Sequence, residues 1–171
     1  METKKVQVIT AILAAIIIAM SFFQTPPCCM LSIGDSIIPR LIYHFFHANP
    51  FHALINCLCI YTLLYKYDVP AWHYPAAYTI AAAVPAWALS TTPTIGLSGI
   101  CFALIGLQTF LVYRKLYFAS YILAFLLVSS ILPFLMNACG LPSARPNTLL
   151  HLYCYAAGSI LSFFTAPLWN R

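Results

Sequence analysis

Six apolar runs follow one another along this chain, at about 6–23, 51–65, 71–89, 98–113, 116–137 and 149–168. Each is close to the roughly 20 residues that an α-helix needs to cross a bilayer. The breaks between the later runs are short and carry turn-forming or charged residues: Tyr67-Asp68-Val69-Pro70, Ser90-Thr91-Thr92-Pro93, Arg114-Lys115 and Gly140-Leu141-Pro142-Ser143-Ala144-Arg145-Pro146. Only the stretch 24–50 is longer. It mixes Pro26-Pro27, Cys28-Cys29, Asp35 and Arg40 with aromatic residues and histidines, and reads as a long external first loop partly embedded in the interface. Composition closes off the other classes. Only 6% of the 171 residues are charged, against about 25% in a soluble domain. Disordered chains are poor in aromatic residues, and here they make up 15%. The expectation is an all-α membrane protein, with residues 1–171 forming a single polytopic domain.

Lys4 and Lys5 ahead of an apolar run have the look of a signal peptide. The run is too long for one, and Gln24-Thr25-Pro26-Pro27 is a poor cleavage site, so a retained first helix is expected. With the N-terminus cytoplasmic, that side receives Lys4, Lys5, Lys66, Arg114, Lys115 and Arg171, while Arg40 and Arg145 fall outside. The positive-inside rule favours this orientation and places both termini in the cytoplasm. The charge of +5 is then topology information and gives no reason to expect a nucleic-acid partner. Trp72, Trp87 and Trp169 sit at helix ends, where interfacial aromatic residues belong. Of seven cysteines, Cys57, Cys59, Cys101 and Cys154 fall in apolar runs, as small hydrophobes do. Cys28, Cys29 and Cys139 lie in connections. His44 and His47 with Cys28 and Cys29 match no usual zinc spacing, so neither metal nor cofactor is expected.

Polar groups in a spanning bundle are costly and are functional candidates by default. Three sets occur, each at the external start of a helix. His52 and Asn56 are four positions apart and share a helix face. Gly96-Leu97-Ser98-Gly99 opens the fourth run, and His151 lies near the start of the sixth. Together they supply the parts for acyl transfer, with Ser98 as nucleophile and His151 as general base. His52 and Asn56 would donate to an oxyanion. The only acids are Glu2, Asp35 and Asp68, none suited to orient the base, so a Ser-His dyad is expected.

Arg40-Leu41-Ile42, then His47-Ala48-Asn49 and His52-x-x-x-Asn56, resemble the first-loop and second-helix signature of rhomboid intramembrane serine proteases. Gly96-Leu97-Ser98-Gly99-Ile100-Cys101-Phe102-Ala103-Leu104-Ile105-Gly106 resembles their serine motif, and His151 with Ala157 and Gly158 their sixth-helix motif. The resemblance runs from about 40 to 158. It implies Ser98 and His151 as the catalytic dyad, and His52, Asn56, Gly96 and Leu97 on the oxyanion side. Gly99, Phe102 and His47 would be supporting residues. The helix 116–137 and the loop 138–148 would be the gate and cap for substrate helices. A multi-pass protein of a bacterial cytoplasmic membrane is implied, its site toward the external face, its partners the lipid bilayer and transmembrane substrates.

Three positions depart from the family pattern. Phe102 stands where many relatives place tyrosine, Leu150 where a small residue precedes the histidine, and Tyr153-Cys154 where glycines follow it. The bulk of Leu150 and Tyr153 predicts a wider gap between the fourth and sixth helices. The expected activity is endoproteolysis within transmembrane segments, preferring helix-breaking and small residues near the cut. The rival is a proteolytically silent relative that binds or escorts membrane clients, which would have no need of the full polar set. A transporter component would carry charges at mid-membrane, and the runs hold none.

Overall fold

The computed structural model describes residues 2–67, 69–89, 92–112, 133–140 and 146–169, with isolated helical positions at 122, 124, 127 and 131. The chain is all-α. Its helices are α1 (Glu2–Met20), α2 (Ile37–Ile42), α3 (Pro50–Tyr67), α4 (His73–Ala82), α5 (Ser98–Val112) and α6 (Thr148–Trp169), with 3-10 turns at Pro27–Cys29, Tyr43–Phe45 and Ala86–Ala88. Residues 133–138 are also helical. The only sheet-like pairing among the described residues is the isolated bridge between Leu31 and Thr94.

α5 is the centre. Every residue from 100 to 108 is buried, as expected of a helix apolar on all sides. α6, α4 and α3 pack against it, and α1 lies along the outer side of α3. α5 and α6 run parallel, because their first turns meet and their middles meet again further along. At that crossing an added Cβ on Gly106 would collide with the Tyr155 carbonyl, and one on Gly158 with the Ala103 carbonyl. Two glycines therefore bring backbone against backbone, the use that membrane helices make of small residues.

The boundaries differ from expectation in instructive places. The run 71–89 is not one helix: α4 stops at Ala82 and a separate 3-10 turn covers 86–88. Pro85 cannot donate to the Ala81 carbonyl, and its ring disfavours helix at the preceding residue. The freed carbonyls are taken by side chains. Tyr43 Oη donates to Ala81 O at 3.0 Å, Arg40 Nη1 to Val84 O at 2.6 Å, and Tyr153 Oη to Ala83 O at 3.4 Å. Pro75 is tolerated because first-turn N–H groups have no partner within the helix. The first loop is not irregular throughout, since it contains α2 and two 3-10 turns. Most of the run 116–137, and the cap positions 141–145, lie outside the described residues, as do Asp68, Arg114, Lys115, Arg145 and Arg171.

Among the described residues one helical window, Thr148–Thr165, is long and apolar enough to cross a membrane, with mean hydropathy 1.2. Gln7–Met20, Pro50–Leu64 and Ser98–Thr109 are apolar but shorter. The outer surface is apolar in stripes. Phe51, Leu54, Leu58 and Tyr61 are exposed along one face of α3 at helical spacing, as are Val8, Ile9, Ile12, Leu13 and Ile16 on α1. The interior meanwhile holds His44, His47, Asn49, Asn56, His73 and Gln108.

Candidate active site

Two asparagines start the helices that carry the histidines. Asn49 Oδ1 accepts the His52 N–H at 2.8 Å, with Pro50 opening α3 behind it. Asn147 Oδ1 accepts the Leu150 N–H at 3.1 Å at the start of α6. Both are N-caps, in which an amide oxygen satisfies a donor the helix cannot, and Pro50 stands where its missing N–H costs nothing. The chain enters α5 differently. Gly96 has φ +115°, which an L side chain rarely adopts. A Cβ there would lie 2.8 Å from His52 Cε1 and 3.2 Å from its Nε2. The His52 ring thus lies directly over the turn that delivers Ser98.

Ser98 and His151 meet. Ser98 Oγ is 2.9 Å from His151 Nε2, and the Phe102 ring stacks on the imidazole with centroids 4.3 Å apart and planes 16° apart. Both dyad residues are half-buried, so a ligand can reach them. The wider gap expected from Leu150 and Tyr153 is not found. Leu150 is fully buried, and a Cβ on Gly99 would come within 3.1 Å of its Cδ2. The missing side chain of Gly99 makes the room that Leu150 fills. Tyr153 reaches the end of α4, its hydroxyl donating to Ala83 O and its ring standing edge-on to Trp87 at 5.9 Å.

The turn before Ser98 is held by the first loop. Gly96 N–H donates to Tyr43 O at 3.1 Å, and Leu97 N–H to His47 Nε2 at 3.2 Å. The Leu97 amide, expected on the oxyanion side, is thereby committed to His47. What remains there is the first turn of α5, whose N–H groups have no acceptor within the helix, and two side chains. Asn56 Nδ2 is buried without a hydrogen-bond partner, and so is His52 Nδ1. The Cys101 thiol donates to Asn56 O at 3.5 Å, which sets Asn56 beside α5 one turn below Ser98. His47 and His52 stand edge to face at 5.0 Å. Burial pushes His47 down to about 3, helped by nearby His52, and burial alone pushes His44 down to about 3. Both loop imidazoles are neutral, which lets His47 act as an acceptor.

Several residues beyond the expected set bond into the same junction. Tyr43 joins the end of α4 to the serine turn through its hydroxyl and its carbonyl. Thr94 pairs with Leu31 through two backbone bonds and receives Asn147 Nδ2 at 3.2 Å. Asn147 could have been found, because asparagine ahead of an apolar run is a helix-start signal. Nothing local marks Tyr43 or Thr94. Compared with protein-family models, curated proteins and solved structures, the chain finds no match in any of the three.

Proposed function

We propose that this chain is a rhomboid-like intramembrane serine endopeptidase with six spanning helices, cutting transmembrane segments of other proteins by a Ser98-His151 dyad. The observation that carries the reading is the 2.9 Å approach of Ser98 Oγ to His151 Nε2 at the joint start of two parallel helices. The imidazole is backed by the Phe102 ring, and the His52 ring lies over the Gly96 turn that leads into Ser98. The exposed apolar stripes on α1 and α3, and those at Leu149, Leu152, Ile160, Phe163 and Phe164 on α6, support lipid as the surroundings, since monomers in water rarely carry such extended patches.

In this mechanism neutral His151, protonated on Nδ1, accepts the Ser98 hydroxyl proton as Oγ bonds to the scissile carbonyl carbon. The oxyanion is met by the first-turn N–H groups of α5 and by His52 and Asn56. His151 returns the proton to the departing amine, and a water molecule then releases the acyl group by the same route. Positive helix-dipole ends at α5 and α6 favour the negative intermediate.

The test is a fluorophosphonate probe on protein purified in detergent. The Ser98 alkoxide would displace fluoride at phosphorus, giving a stable adduct on the peptide that contains Ser98. Ser98→Ala should abolish the adduct and leave the melting temperature nearly unchanged, because one small hydroxyl is lost from a half-exposed position. A folded wild type that takes no probe would instead be the client-binding relative.

A further inference from the structure

We infer that Asn147 is a positioning residue of the dyad, its side-chain amide capping α6 and tying that cap to Thr94, so that the start of the base helix is fixed to the segment that leads into Ser98. The inference rests on the serine-protease reading of the same site.

The bonds give the amide only one orientation. The Leu150 N–H can only donate, so Asn147 Oδ1 must face it. The NH2 group is then the end that meets Thr94 Oγ1 at 3.2 Å. Asn147 also accepts the His151 N–H on its backbone oxygen at 3.1 Å. One residue therefore holds the first turn of α6 from two sides and reaches across to another element with a third bond. Thr94 is a firm anchor for that bond. It is buried, and its backbone pairs with Leu31 at 2.8 and 2.9 Å. Only Ile95, Gly96 and Leu97 separate it from Ser98, and the last two are themselves bonded to Tyr43 and His47. A route of hydrogen bonds and short chain thus runs from the His151 backbone to Ser98, independent of the bond between their side chains. With no carboxylate in the dyad, this route of backbone and side-chain bonds is what fixes the start of the base helix relative to Ser98.

Thr94→Val keeps the volume, the Leu31 pairing and the α6 cap, and removes only the tie. It should slow fluorophosphonate labelling about ten- to hundredfold, the range expected when reacting groups shift by up to about an ångström, with the melting temperature little changed. Asn147→Asp retains the cap, and its second carboxylate oxygen can accept a hydrogen bond donated by the Thr94 hydroxyl, so its labelling should stay near the wild-type rate. Combined with Thr94→Val, which has no hydroxyl to give, that rescue should disappear. A purely structural role would lower the melting temperature and leave the rate per folded molecule alone. A second arm needs no activity: Ser98→Cys with His151→Cys, oxidised with copper phenanthroline and read by peptide mapping of the bridge between the two positions. Adding Thr94→Val should slow that closure. Equal closure rates overturn the positioning role. Slower closure in a protein whose wild type takes no probe leaves the tie standing and removes the protease reading.

Discussion

Gly34 and Gly96 are both held at positive φ, +88° and +115°, yet their surroundings differ. An added Cβ meets nothing within 4 Å at Gly34, whereas at Gly96 it meets the His52 and His47 rings. The pair separates backbone strain from displacement of the site. Gly34→Ala should cost about 1–2 kcal/mol from the left-handed backbone alone and leave probe labelling unchanged. Gly96→Ala carries a similar strain and must also move His52, so its labelling rate should fall well beyond its loss of stability. Melting and labelling on the same samples check both. At this scale the sequence was informative where chemistry is unusual: a serine, two histidines and an asparagine in apolar runs are expensive enough to stand out. It was silent about Tyr43 and about the pairing of Leu97 with His47, because a tyrosine in a loop and a backbone amide carry no signal of their own.

Helix starts were legible and helix ends less so. Polar residues ahead of apolar runs mark the caps at Asn49 and Asn147, while 71–89 kept its hydropathy straight through Pro85. Hydropathy counts burial, and the side chains of 83–89 are partly buried; the break is a backbone event, made tolerable by Tyr43, Arg40 and Tyr153 on the open carbonyls. The packing of α5 on α6 was legible only as spacing of small residues, without the crossing point. That point makes a prediction. Gly106→Ala must push a methyl group against the Tyr155 carbonyl and the Ser159 amide, both backbone and unable to step aside. Overpacking of this kind typically costs about 1–3 kcal/mol. The variant should melt earlier and label more slowly, whereas Leu152→Ala, on the exposed face of α6, should leave labelling as it is.

Across the whole molecule, the extent of exposed apolar surface on α1, α3 and α6 was foreshadowed by composition, since eleven charged side chains could never have covered it. The three-dimensional junction of the first loop, the serine turn and the α6 cap was not, because it joins segments far apart in the chain through single hydrogen bonds. The buried loop histidines add a dependence on pH. His44 and His47 are held down to about 3, while an unfolded histidine takes a proton near 6.5. Between these values the unfolded chain binds more protons than the folded one, so stability is full above about pH 6.5 and falls as pH drops toward 3. Each histidine contributes a slope of about 1.4 kcal/mol per pH unit. Denaturation midpoints across pH 7 to 4 should show this decline, and His44→Leu should remove one histidine's share of it. Finally, the glycine crossing stands where a fulcrum for these two helices would be. Ser98 stands eight positions from Gly106, an arm of about 12 Å at helical rise. A tilt of about 5° there would swing the upper ends by roughly 1 Å, enough to change a reaction rate by about two orders of magnitude. On the proposed protease reading, in a bilayer whose thickness sets helix tilt, the gearing of this pair would let the surrounding lipid set the rate of the proposed reaction.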